Sequence, residues 1–267
     1  MNKFLNAESL KRIPKEKIDL ITAPQEVELC DKCGHQKTKV HGKVIIDCHC
    51  SFKPIIEENK KRQSQKKVNH FFSRSLINED IKNASFENSN IQIDDKTIEI
   101  HEKLAYRSAI NYVQNFSKTK SEVQNLLIIG GTGTGKSYLA YCIAEAIKNK
   151  GYTVLYVDIV ELLALLRSTF NKSTNQTEYD YMNLIAEVDL LVLDDVGANK
   201  KTEWANEKLF DITNKRQGKS TVYTSNLTID QLKKESDFMI KRSYSRMLNK
   251  VKVIKLYGND KRLEGLK

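Results

Sequence analysis

The sequence is poor in residues that break or loosen a chain: its 267 residues include three prolines and eleven glycines. That excludes collagen-like and linker-dominated architectures. No apolar run approaches the roughly 18–20 residues needed to span a bilayer. The opening MNKFLNAESLKR has no uninterrupted apolar stretch behind its first lysine, which argues against an export signal. These absences predict a soluble, unexported, cytoplasmic protein with no membrane partner. Acidic residues are the scarcer sign, 34 against 44 Lys and Arg, for a formal net charge of +10. What remains, 40% hydrophobic and 29% charged residues, excludes wholesale disorder and is enough for a real core. The length suits one domain with an appendage, or two small domains.

The charge is uneven along the chain. Residues 1–75 carry a net +7, residues 76–232 a net −4 and residues 233–267 a net +7. Basic ends can neutralise phosphates and release counterions from nucleic acid. They can equally be a lysine-rich solvated surface, and charge alone leaves both readings open.

Cysteine is concentrated in one place. Four of the five lie within residues 30–50, as Cys30-x-x-Cys33, a 14-residue gap and Cys48-x-Cys50. The residues between, Thr38 to Ile46, read as a hairpin turning near Gly42. Four thiolates brought together by such a loop-back suit tetrahedral Zn²⁺, and a segment this small has few other means of staying folded. The second pair is tight, so His35, His41 or, best placed, His49 could replace one thiolate. Disulfides are the competing reading, but they do not suit a reducing compartment. The lone Cys142 reads as a packed core residue. After the cysteines, residues 53–75 hold seven basic and two acidic residues and read as a basic helical connector. The division expected is 1–52 for the zinc module, 53–82 for the connector and 83–267 for a larger domain.

From about residue 96 helical and strand patterns alternate. Ile100, Leu104, Ala105, Ala109, Tyr112, Val113 and Phe116 recur at helical spacing. Short apolar runs follow at 126–129, 153–157, 190–193, 221–224 and 251–256, separated by helix-like segments, with a polar loop at 171–180. This pattern predicts an α/β fold with a parallel sheet covered by helices on both faces. Nucleotides bind such folds at the carboxyl ends of the strands.

At the end of the first run stands GGTGTGKS, residues 130–137, a P-loop pattern with a strand before it and a helix from Tyr138 after it. Gly130, Gly131, Thr132, Gly133, Thr134 and Gly135 let the backbone curl so that its N–H groups face phosphate oxygens. Lys136 adds a charge near the β- and γ-phosphates of ATP, and Ser137 a hydroxyl for Mg²⁺. The run LLVLDDVG, residues 190–197, ends in two carboxylates. Asp194 would hold Mg²⁺ and Asp195 would orient or deprotonate the attacking water. Side chains alternate along a strand, so both can serve only where the strand is ending. A third strand ends in Ser225 and Asn226, which could reach a γ-phosphate or its water if it lies between the other two.

This order of motifs resembles AAA+ ATPases, and more narrowly the DnaC/DnaI-type replicative helicase loaders with their phage and plasmid versions. The resemblance covers roughly residues 76–267 through GGTGTGKS, LLVLDDVG, VYTSNLT and KRSYSRML, with the lead-in NASFENSN at 83–90. It implies that Asn226 is the sensor 1 residue. It makes Arg246, with Arg242 second, the arginine offered to a neighbouring subunit's nucleotide, and Arg262 a sensor 2 candidate. A guanidinium suits these posts because it stays charged and presents forked donors. The 38 residues after Ile229 are too few for a full helical lid, so a reduced or absent lid is expected, with slow ATP hydrolysis until subunits assemble. The resemblance further implies a zinc-bearing N-terminal part that docks on a hexameric replicative helicase, a core that senses ATP and single-stranded DNA, and a homo-oligomer when active. A transposition helper ATPase of the IstB type and a nonenzymatic DNA-binding adaptor are the alternatives.

Overall fold

A computed structural model describes residues 23–71, 79–89, 100–117, 125–171 and 176–263. The chain falls into two compact units, Met1–Lys60 and Lys61–Lys267.

In the first unit, β1 (Glu26–Leu29), β2 (Gln36–Val40) and β3 (Lys43–Ile46) form an antiparallel meander. His41 and Gly42 join β2 to β3 with φ of 50° and 72°. Positive φ at both central residues matches the right-handed twist of a hairpin. The hairpin expected near Gly42 is therefore present, and β1 is an addition that the sequence pattern did not reveal. A 2.6 Å ion pair from Lys39 to Glu28 crosses the β1–β2 pair.

Helix α1 (His49–Phe71) starts within the second cysteine pair, earlier than the connector pattern at Lys53 suggests. Its second half belongs to the larger unit, where Val68 is buried in the core. Gln65 donates to Val154 O at 3.0 Å and accepts from Val154 N at 2.8 Å.

The larger unit continues with α2 (Glu79–Lys82), α3 (Ile100–Asn115), β4 (Asn125–Gly130), α4 (Lys136–Asn149), β5 (Val154–Asp158) and α5 (Ile159–Ser168). After these come α6 (Glu178–Glu187), β6 (Leu190–Asp194), α7 (Glu203–Lys215), β7 (Thr221–Ser225), α8 (Ile229–Lys233), α9 (Phe238–Met247) and β8 (Val251–Leu256). All five expected strands form, in the order β5-β6-β7-β4-β8, and every pairing is parallel.

Because side chains alternate along a strand, each continuous apolar run supplies both faces of the sheet. Leu127, Ile129, Leu155, Val157, Leu191, Leu193 and Tyr223 pack with α5, α6, α7 and α9. Leu126, Ile128, Val154, Val192, Val222 and Ile254 pack with α3 and α4. Within α3, Ala105, Ala109, Tyr112 and Val113 are buried, whereas Ile100 and Leu104 are exposed, off the core-facing stripe. Asp158 caps α5 by accepting from Val160 N and Glu161 N, and Asp237 caps α9 in the same way. Of the polar stretch 171–180, residues 172–175 lie outside the described residues, as do 1–22 of the N-terminal segment and 72–78 of the connector.

Candidate functional site

The larger unit concentrates polar side chains at the carboxyl ends of β4, β6 and β7. Strand β4 ends at Gly130 and α4 begins at Lys136, so GGTGTGKS spans the turn between them. Gly135 caps α4 at φ 91° with no side-chain cap, and the first-turn N–H groups keep the positive end of the helix dipole. Gly133 has φ 72°, and a Cβ there would lie 1.7 Å from Asp260 Oδ1. The turn after β8 crosses the loop at that point, with Lys261 N donating to Gly133 O at 3.1 Å. Thr134 Oγ1 donates to Gly131 O at 2.9 Å and braces the turn from within.

Asp194 is the last residue of β6, and Asp195 follows in the left-handed region at φ 54°. That break in the strand's alternation lets both carboxylates face the same end of the sheet. Strands β6 and β4 are not neighbours, since β7 lies between them. The middle strand, with Asn226 just after it, and the start of α4 supply the bridging groups. Ser137 Oγ donates to Asp194 Oδ1 at 3.0 Å, Thr224 Oγ1 donates to the same oxygen, and Asp195 N donates to Thr224 Oγ1 at 2.8 Å. Asn226 Nδ2 donates to Asp195 Oδ1 at 2.9 Å, while Lys136 Nζ donates to Asn226 Oδ1 at 2.7 Å and Gly131 O at 2.6 Å.

The electrostatics follow from this enclosure. Burial lowers the Lys136 pKa, opposed by the charges of Asp195 and Asp194. Burial, then the Asp194 charge, raises the Asp195 pKa, opposed by Lys136 and Arg262. Both shifts favour the neutral forms, and each charged group partly restores the other.

Lys136, Ser137, Asp194, Asp195 and Asn226 thus come together. Thr132, Gly133, Gly135, Lys136, Ser137, Tyr138, Asp195, Asn226 and Arg262 line one cleft of about 510 Å³. Ser225 does not join them: its buried hydroxyl donates to Val196 O at 2.6 Å. Thr224, one residue earlier, supplies the hydroxyl that bonds Asp194 and accepts from Asp195 N. Arg246 lines a different cleft, of about 620 Å³, with Asn125 and Lys250. Asn125 opens β4 and Gly130 closes it, so Arg246 sits at the opposite end of the sheet from its own P-loop. Its guanidinium lies 4.3 Å from the centre of the Phe210 ring, beside Arg242 at 4.6 Å from that ring.

Several residues of the nucleotide-sized cleft carried no motif signal. Ile81 and Tyr106 line it, and Tyr156 OH donates to Asp194 Oδ2 at 2.6 Å; Asn88, from the 83–90 lead-in, and Lys261, next to Arg262, line it as well. For Tyr156 the one available hint was a phenol among the apolar residues of VLYVD.

In the smaller unit the sulfurs of Cys30, Cys33, Cys48 and Cys50 all lie within 4.8 Å of one another. Cys30 Sγ and Cys50 Sγ are 3.4 Å apart, and Cys33 Sγ and Cys50 Sγ 3.7 Å. Zn–S bonds of about 2.3 Å in a tetrahedron place sulfurs at about this separation, so the four cysteines fit a closed zinc site. The Lys32 N–H, with the Cys48 and Cys50 sulfurs, lowers the Cys30 pKa to about 6. His35 Nδ1 instead faces Cys33 O at 3.1 Å, and the His49 side chain lies outside the described residues. For Mg²⁺, the two hard oxygens Ser137 Oγ and Asp194 Oδ1 are a suitable pair beside the phosphate cradle. Among the described residues no helix is long and apolar enough to cross a membrane.

A five-stranded parallel sheet in this order, with a P-loop after one strand and paired acids after the next but one, defines an α/β nucleotide-binding protein of the AAA+ type. The family profile described as IstB-like ATP binding protein matches residues 51–266, and the chain belongs to that family. The replicative helicase loader DnaC of Buchnera aphidicola subsp. Baizongia pistaciae (strain Bp) is 32% identical over 185 residues, covering 68% of this chain and 70% of its own. The replicative helicase loader DnaI of Bacillus subtilis (strain 168) is 26% identical over 205 residues, covering 74% of this chain and 60% of its own. The crystal structure of the DnaC helicase loader superposes with a TM-score of 0.54 at 20% identity, covering 67% of this chain and 99% of that one.

Proposed function

We propose that the protein is an ATP-dependent loader that places a replicative hexameric helicase on single-stranded DNA. The observation that carries this reading is the Lys136–Asn226–Asp195 chain beside Ser137 and Asp194, in a family member whose curated relatives are named replicative helicase loaders.

In this reading Lys136 and the N-terminus of α4 bind the ATP phosphates, and Ser137 and Asp194 hold Mg²⁺, which would draw negative charge from the transferring phosphoryl group. Asp195 takes a proton from the water that attacks the γ-phosphorus, and Asn226 orients that water, giving ADP and phosphate. Arg262, in the same cleft, faces the nucleotide as sensor 2.

Arg246 serves a neighbouring subunit, so hydrolysis is slow until the protein oligomerises. The cleft around Arg246 supports that role. Its lining carries Arg216, Lys233, Lys241, Arg246 and Lys250 and no carboxylate, and the Arg246 Nε is buried without a hydrogen-bond partner.

Residues 1–52 form a zinc module held by Cys30, Cys33, Cys48 and Cys50 that docks on the helicase, with 53–82 as connector and 83–267 as the ATPase. Val27, Leu29, Val44 and Phe52 support the docking assignment, because all are exposed apolar residues of that module. Single-stranded DNA is bound by the basic ends, in the cytoplasm. The IstB-like family description keeps a transposition helper as the second reading.

A pull-down with the cognate replicative helicase, with and without ATP, separates the two. Nucleotide-dependent capture that is lost in Lys136→Ala is expected of a loader. No capture in either state would remove the loader reading.

A further inference from the structure

The Asp194 carboxylate is held from three sides, and one of its partners belongs to no motif. Strand β5 pairs with β6 in the register Tyr156–Val192 and Asp158–Asp194. Residues two apart on a strand share a face, so Tyr156 lies on the same side of the sheet as Asp158, diagonally across from Asp194. Asp158 is committed elsewhere, since its Oδ1 caps α5. Tyr156 reaches across instead, and its hydroxyl donates to Asp194 Oδ2 at 2.6 Å. Its ring packs edge-on against Tyr141, with centroids 5.2 Å apart, and Tyr141 is buried on α4, the helix that leaves the P-loop.

The two oxygens of Asp194 therefore have different surroundings. Oδ2 has the Tyr156 phenol, while Oδ1 has Ser137 Oγ at 3.0 Å and the Thr224 hydroxyl. A metal-directing carboxylate needs one oxygen turned to the phosphate cradle and the other kept from competing for it. A donor fixed on Oδ2 sets the rotation of the carboxyl so that Oδ1 stays beside Ser137.

We infer that Tyr156 is a positioning residue for the magnesium site, orienting Asp194 through its hydroxyl without touching nucleotide or metal. The inference rests on the nucleotide-binding reading above and deepens it. Partners of this kind tune metal affinity by about 10–100-fold.

The test uses the full-length protein and a fluorescent ATP analogue. Binding is measured in excess chelator and then as a function of free Mg²⁺. In Tyr156→Phe, affinity in chelator should match the unaltered protein, while the Mg²⁺ concentration giving half of the metal-dependent change should rise about tenfold. In an Asp194→Asn background, adding Tyr156→Phe should leave the Mg²⁺ response unchanged, because the residue acts through that carboxylate. An unchanged Mg²⁺ midpoint in the single variant overturns the inference. So does an equal loss of affinity with and without metal, which would mark Tyr156 as a packing residue. The underlying reading fails separately, if the unaltered protein binds no analogue in either condition, and the inference then falls with it.

Discussion

At the scale of single residues, Lys136 is buried and Asp195 half-buried, and each is pushed towards its neutral form, Lys136 downward and Asp195 upward. For Asp195 the sign is definite. A raised pKa means that the carboxyl keeps its proton to a higher pH than an exposed aspartate, so the basic form disappears sooner as pH falls. The acid limb of kcat/KM for ATP hydrolysis, which reports the free enzyme, is therefore expected above the ordinary aspartate range. A limb at or below that range would remove Asp195 as the base. Asn226 joins Lys136 to Asp195 in one hydrogen-bonded line. Asn226→Ala should lower kcat roughly 100-fold while leaving ATP affinity nearly unchanged. Steady-state kinetics beside direct titration will show whether binding and turnover separate in this way.

At the scale of elements, two polar side chains do structural tasks that no motif records. Strand β5 is the edge of the sheet, and an unpaired edge exposes backbone groups to other chains. Gln65 on α1 covers it by bonding both N and O of Val154, as a neighbouring strand would. Gln65→Ala should cost about 1–2 kcal/mol and speed amide exchange at Val154 more than at central β7. Equal exchange would show that the glutamine is dispensable. Arg216 follows α7 and is 2% exposed. It donates to Ile185 O at 3.1 Å, Val188 O at 2.7 Å and Thr221 Oγ1 at 3.2 Å, and also to Ser220 O. It thereby ties the end of α6 to the start of β7. Arg216→Ala leaves several buried carbonyls unpaired and should destabilise by about 3 kcal/mol or more, read from denaturant unfolding.

At the scale of the whole molecule, the two units have different sources of stability. The larger one buries two apolar layers against its sheet. The smaller one has a three-stranded meander and, among its described residues, buries Cys30, Val40 and Cys48. Chelation, or Cys30→Ser, should therefore release zinc and open residues within the first 60 to protease, while ATP affinity in the larger unit stays within about twofold. Metal analysis with limited proteolysis tests this, and a parallel fall in ATP affinity would contradict it.

Legibility followed sequence distance. GGTGTGKS could be read because its glycines shape their own backbone and the flanking strand and helix are contiguous with it. Four of the five strands could be read because each is a short apolar run covered on both faces, and the other edge strand, β8, because its valines, isoleucine and leucine keep a β-rich pattern between exposed lysines. Tyr156 could not, since its partner lies 38 residues away, and neither could Thr224, 30 residues from Asp194. The sequence by itself determined the local backbone: the curl of the P-loop, the alternation of strands and helices, and the spacing of the cysteines, all set by residues interacting with their neighbours. Only the tertiary structure decided that β7 lies between β4 and β6, that Thr224 rather than Ser225 faces the acids, and that Arg246 stands at the far end of the sheet. Those outcomes depend on which strands pair after each crossover, and that pairing is set by how whole faces bury against one another.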